Sequence, residues 1–165
     1  MRRYIPVAVL IFVVYTVFSG SLSPYDIVIG SLTAIAGSVL VSRYLVKDEA
    51  KALSIRRFLH LVGYAFYYLT VAECKAHLGV IKIILSRKMP VKPAIVRVPF
   101  RASNSYTIVA SANSITNTPG TVVVEIEPRK SIYYVHWIYA VGLDPETTYK
   151  EILEPFEKRL TKVFE

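Results

Sequence analysis

Apolar positions run without interruption at the start of this chain and become periodic only later. Two apolar runs, Tyr4 to Leu22 and Tyr25 to Val46, stand back to back around the turn Ser19-Gly20-Ser21-Leu22-Ser23-Pro24. Nothing ionisable sits in the middle of either run. A stretch of roughly 18 or more such residues is long enough to cross a bilayer as a helix. The pattern predicts a transmembrane helical hairpin over residues 1–46. A cleaved signal peptide is the competing reading of Arg2, Arg3 and Ser19-Gly20-Ser21, but cleavage there would expose a second apolar run at once. The second helix has a readable start: Ser23 as N-cap, Pro24 in the first turn and Asp26 at the positive end of the dipole. Asp26 therefore reads as a cap rather than an ion ligand. Along that helix Gly30, Ala34 and Ser38 recur at four-residue spacing with Gly37 beside them, a pattern that lets helices approach closely in lipid. They serve either hairpin packing or docking onto a neighbouring membrane protein.

The pattern changes over residues 47–92, a basic linker and a long helix predicted from Arg56 to Arg87. The helix starts apolar, at Phe58, Leu59, Leu61, Val62 and Phe66. It turns amphipathic from Glu73 onward, where Lys75, His77 and Lys82 alternate with Val80, Ile81 and Ile84. A helix lying in the membrane interface fits this better than a third span, which would carry Lys75, Lys82, Arg87, Lys88 and Lys92 across. Tyr64, Tyr67 and Tyr68 suit such an interface. Glu73 is the candidate buried carboxylate should the helix be enclosed.

Residues 93–165 read as a small cytoplasmic α+β domain with three strands and two to three helices. Ala94 to Val98 is β-branched and bounded by prolines, hence a strand. Ser103 to Thr116 fits a strand at Tyr-Thr-Ile-Val-Ala or a helix capped by Ser103 or Asn104. Thr121 to Glu127 and Ile132 to Tyr139 form a hairpin through Pro128-Arg129-Lys130-Ser131. Glu125 and Glu127 alternate with apolar residues, which places them on a solvated face. Asp144-Pro145 opens a last helix whose stripe is Tyr149, Ile152, Leu153, Phe156, Leu160, Val163 and Phe164, with Pro155 kinking or dividing it.

Charge refines the picture. The net charge is +8 in 165 residues, yet mean hydropathy is positive. Basic residues flank apolar segments instead of lining one polar face, which argues against a nucleic-acid binder. Arg2, Arg3, Lys47, Lys51, Arg56 and Arg57 flank the hairpin ends, and its turn carries no basic residue, which places both ends in the cytoplasm. Candidate chemistry is sparse. The single cysteine, Cys74, has no partner at ligand spacing. His60 and His77 stand apart, and His136 beside Trp137 reads as a packed or hydrogen-bonded side chain. No phosphate loop, zinc spacing or nucleophile motif occurs, and the hairpin offers no mid-membrane charge of the kind ion paths use. No catalytic, metal or cofactor residue is assigned.

One motif is distinctive. At Asn113-Ser114-Ile115-Thr116-Asn117-Thr118-Pro119-Gly120-Thr121 the chain resembles the E subunits of the Mrp-type multisubunit monovalent cation/proton antiporters. That family carries Asn-Ser-Ile-Thr, one apolar residue, then Thr-Pro-Gly-Thr; Asn117 stands at the apolar position. Ser21-Leu22-Ser23-Pro24, Pro93-Ala94-Ile95-Val96 and Tyr134-Val135-His136 are similar too, so the resemblance covers nearly the whole chain. It favours helix for Ser103 to Thr116. It implies an accessory, non-catalytic, multi-pass subunit of the plasma membrane. That subunit is needed for assembly and transport by a sodium/proton antiporter, or by the related module of archaeal hydrogenase and sulfur-reducing complexes. Other membrane subunits and the bilayer are the implied partners. The rival reading is a free-standing membrane-tethered module that recruits a soluble cytoplasmic partner; a small membrane enzyme is disfavoured by the missing site.

Overall fold

The computed structural model describes residues 3–46 and 48–165; the expectations placed on Arg2 and Lys47 lie outside these. The chain packs as two units, Met1–Ile55 and Arg56–Glu165.

The first unit is an antiparallel helical pair, α1 (Tyr4–Ser19) and α2 (Pro24–Leu45), followed by the single-turn α3 (Glu49–Ala52). The first apolar run does not stay helical to Leu22. Gly20 adopts the left-handed conformation at φ 63° and its N–H returns to the carbonyl of Thr16, which ends α1 after 16 residues. At 1.5 Å per residue α1 spans about 24 Å, against a hydrocarbon core of about 30 Å. The 22-residue α2 is long and apolar enough to cross a membrane. Its start forms as expected: Ser23 Oγ accepts from the Asp26 N–H at 3.2 Å, and the Asp26 carboxylate accepts from the hydroxyls of Ser21 and Ser23. Both helices leave large aliphatic side chains exposed, among them Val13, Val17, Leu32 and Val39.

The second unit opens with one unbroken helical rod, formed by α4 (Ile55–Tyr67), a π-helical turn Tyr68–Ala72 and α5 (Glu73–Ile84). It ends a few residues short of the expected Arg87. The side turned inward carries Tyr64, Tyr68, Ala72, Ala76 and Val80, all fully or half-buried. Those residues step by four, and each such step overruns the α-helical period of about 3.6 residues. The wider π-turn takes up part of the drift and keeps one face on the core.

The sheet comprises β1 (Ala94–Pro99), β2 (Thr121–Glu127) and β3 (Ile132–Trp137) in the order β1-β3-β2, with both outer strands antiparallel to the centre. The outer strands are thus parallel to each other, linked by α6 (Ser105–Asn117). The ambiguous segment is therefore a helix. Asn104 caps it by accepting the Tyr106 N–H, at 2.8 Å. A register shift between Val123 and Glu125 bulges β2. The chain closes with α7 (Pro145–Thr148), a second π-helical turn Tyr149–Leu153, and α8 (Glu154–Phe164). The π-turn ends two residues before Pro155. A proline lacks an N–H and clashes with the carbonyl four residues earlier, so a wider turn there accommodates the ring without interrupting the helix.

Alternation along the strands fixes the core. Val96 and Val98 of β1 and Tyr133 and Val135 of β3 point inward, onto Ile115, Leu153 and Leu160. The Tyr133 hydroxyl donates to the Ile108 carbonyl at 2.9 Å, and burial pushes its pKa well above the ordinary phenol range. His136, expected to be packed or hydrogen-bonded, falls on the other side of the pleat and is exposed rather than packed, because period two turns it away from Tyr133 and Val135. The outer side of β1 is closed by the last helices: the Thr148 hydroxyl donates to the Arg97 carbonyl at 2.8 Å. An edge strand covered in this way cannot recruit another chain there.

Candidate functional site

The small residues of α2 lie on its buried face. Ala34 and Ser38 are 4% and 3% exposed. A β-carbon at Gly30 would stand 2.7 Å from the Tyr15 ring, and one at Gly37 would stand 2.8 Å from Ile11 Cδ1. Gly30 and Gly37 thus serve close approach of α1 to α2. Ser38 and Ser42 return their hydroxyls to the backbone of their own helix, at Ile35 and Ser38, so neither hydroxyl is left unpaired on the buried face.

The Asn113–Thr121 motif is the joint between α6 and β2. Ile115 is fully buried. The last carbonyls of α6 lack helical partners, and hydroxyls supply them. Thr118 donates to Ile115 at 2.9 Å, and Thr121 donates to the same carbonyl at 2.7 Å. Thr116 Oγ1 accepts the Val123 N–H at 3.1 Å on the outer side of β2. Pro119 leads into Gly120, whose φ of 100° suits glycine. The Ile138 N–H donates to the Gly120 carbonyl, tying the turn to the end of β3.

The same motif meets the long rod. Tyr64 and Ser114 share a hydroxyl–hydroxyl bond, and Asn117 Nδ2 donates to the Tyr68 hydroxyl at 2.9 Å. Arg159 lies 3.5 Å from the Tyr67 ring centroid. The three tyrosines expected at a lipid interface therefore face the protein core; it is the opposite side of the rod, with Phe58, Leu59, Val62, Phe66 and Leu69, that is exposed. Asn117 departs from the apolar residue of the resembled motif, and its amide has found a phenol. Burial, with the Glu73 carboxylate second, pushes the Tyr68 phenol up to about 12. Glu73 is half-buried beside it: Oε2 stands 3.4 Å from His77 Nδ1, and Oε1 is buried without a hydrogen-bond partner among the described residues. Among the described residues no group of three or more His, Cys, Asp or Glu could hold a metal ion.

Two features escaped sequence reasoning. Glu157, 4% exposed, accepts the N–H groups of Arg101 and Ala102 at 2.8 and 2.9 Å. Between α5 and the Thr118–Thr121 turn lies a cavity of about 560 Å³, with Lys75, Gly79 and Lys82 along one side and Trp137, Ile138 and Phe156 along the other. The i, i+4, i+7 spacing of Lys75, Gly79 and Lys82 was its only signal in the sequence.

Comparison with known proteins draws on the chain as a whole. The family model described as Na+/H+ ion antiporter subunit matches residues 8–163. The chain belongs to this antiporter subunit family. It is 27% identical to the E subunit of the Na(+)/H(+) antiporter of Alkalihalophilus pseudofirmus over 151 residues, 92% of this chain and 91% of that one. It is 28% identical to the corresponding E1 subunit of Staphylococcus haemolyticus over 150 residues, covering 91% and 87% of the two chains. Among solved structures it resembles a chain of the membrane-bound sulfane sulfur reductase, an archaeal respiratory membrane complex, with a TM-score of 0.84 and 30% identity. That match covers 99% of this chain and 100% of the other. The antiporter-subunit match thus extends over both packing units, the helical hairpin and the sheet unit alike.

Proposed function

We propose that the chain is an accessory, non-catalytic subunit of an Mrp-type cation/proton antiporter module, either stand-alone or built into a larger membrane redox complex. The end-to-end likeness to a chain of a respiratory membrane complex carries the reading, and the antiporter relatives supply its transport context. Physical features support it. The hairpin exposes aliphatic surface on both helices, which water would disfavour and lipid or neighbouring membrane helices would cover. Its ionisable groups stand near the helix ends, as Asp26 and Arg43 do, so it offers no mid-membrane relay of the usual kind. The basic flanks Arg3, Lys51, Arg56 and Arg57 support a cytoplasmic side for the hairpin ends and the sheet unit. The rod over residues 55–84 rests at the membrane interface, its exposed apolar side against lipid or a neighbouring membrane protein.

The test is reconstitution and deletion. The purified chain in liposomes should show no sodium- or potassium-coupled proton flux above empty vesicles, while its deletion in the native host should lower the yield and activity of the assembled complex. Ala34→Leu should lower that yield too, because the added volume has no room against α1. Cation-coupled proton flux from the isolated chain, abolished by Glu73→Gln, would overturn the accessory assignment.

A further inference from the structure

The cavity beside α5 has an amphiphilic lining. Its volume of about 560 Å³ falls within the roughly 300–1,000 Å³ of small-molecule sites. Its inner wall is aliphatic and aromatic, formed by Val80, Ile83, Trp137, Ile138 and Phe156. Lys75 and Lys82 stand on its rim, both exposed. Among the described residues neither is in an ion pair. Glu151 is the one acidic residue of the lining, so positive charge prevails. Gly79 separates the two lysines on the same helical face, and a β-carbon there would meet nothing within 4 Å. The groove therefore keeps open space where any other residue would place a side chain. On the outward side of α5, next to this opening, Leu78, Ile81, Ile84 and Leu85 are exposed.

We propose that this groove holds one acyl chain of an anionic phospholipid, with the lipid phosphate at the Lys75 and Lys82 ammonium groups. The occupant must satisfy apolar walls and a cationic rim together, which a lipid with an anionic headgroup does. Ammonium groups bind phosphate oxygens by charge-assisted hydrogen bonds, and basic residues at a cytoplasmic surface gain further from the anionic leaflet. The exposed aliphatic residues of α5 would bring the groove to the level where such lipids lie. The inference rests on the membrane reading above for its lipid source, and its test separates the two.

Trp137, the single tryptophan of the chain, lines the groove and is its reporter. The full chain is reconstituted in phosphatidylcholine vesicles that carry bromine on the acyl chains of either phosphatidylglycerol or phosphatidylcholine, at equal bromine content. Bromine quenches tryptophan emission only at close range. Brominated phosphatidylglycerol should quench Trp137 several-fold more than brominated phosphatidylcholine. That excess should vanish in Gly79→Phe, which fills the groove, and in the double variant Lys75→Glu, Lys82→Glu, which repels the phosphate. The lysine variant alters only exposed side chains and keeps the test open if Gly79→Phe fails to fold, as judged by circular dichroism. Equal quenching by the two lipids, or an excess that survives both variants, would overturn the site. So would the absence of quenching in a chain that still floats with the vesicles. Failure to float would overturn the membrane reading itself.

Discussion

A carboxylate buried to 4% exposure needs partners, and Glu157 finds them in two backbone amides at the loop after β1. Leaving buried N–H groups unpaired costs about 1–3 kcal/mol, and hydrogen bonds to a charged acceptor are at the strong end. Glu157→Ala should therefore destabilise the sheet unit by about 2–3 kcal/mol, read as a lowered thermal midpoint of the detergent-solubilised chain. Glu157→Gln should cost less, since one amide oxygen remains to accept. An unchanged midpoint in the alanine variant would show the loop amides to be solvated. Glu157 sits within the apolar stripe of α8, between Phe156 and Leu160, but its partners are more than fifty residues away along the chain. Periodicity reveals the stripe and not the carboxylate's purpose. Ser23 and Asp26 were legible for the opposite reason: a cap and its helix are neighbours in sequence, so local chemistry decides them.

Helices and strands were legible wherever the interaction that forms them is local or repeats at one period. The prolines around β1, the alternation of β3 and the Asp144-Pro145 start of α7 all belong to this class. The two π-turns do not, because an extra residue in a turn leaves no periodic mark and is fixed by the core the helix must meet. Asp144 offers a titration test. Its carboxylate accepts the Thr147 N–H at 2.9 Å, which holds its pKa below the usual value of 3.8. Glu127 and Glu154 are likewise held low, by Lys130 and Lys158. Groups whose folded pKa is depressed bind protons more readily when unfolded. Their stabilisation is complete above the unfolded pKa and is lost as pH falls through the folded one. Thermal midpoints should thus fall as pH drops below the ordinary carboxylate range, and Asp144→Asn, which keeps the cap but cannot titrate, should flatten that fall. A parallel slope in the variant would exclude Asp144 from it. Gly79 supplies the converse case: it lies inside α5 with open space around its absent β-carbon. Gly79→Ala should raise stability by about 0.5–1 kcal/mol, measurable in the same melting experiment. A lower midpoint would mean the backbone there needs glycine.

For the molecule as a whole, the apolar runs of the hairpin and the nine-residue motif were plain in the sequence, and the family follows from them. The groove was not, because it is made where a helix, a turn and the end of a strand meet, and no single segment carries it. Sidedness remains the sharpest global expectation. With exposed Cys74 first replaced by serine, a cysteine introduced at Ser131 should react with impermeant maleimide only in inside-out vesicles. Labelling only from the outer side would place the sheet unit outside and favour a third span. A different consequence follows from the strand order β1-β3-β2. The central strand is the last to be translated. Before residues 132–137 leave the ribosome, β1 and β2 share no ladder and each has two open edges. Neither can begin the sheet; both ladders need β3, which pairs with β2 through a short turn and with β1 across a long stretch of chain. Until that strand is made, β1 and β2 stay unpaired, so the sheet unit commits to its fold only after β3 has been translated.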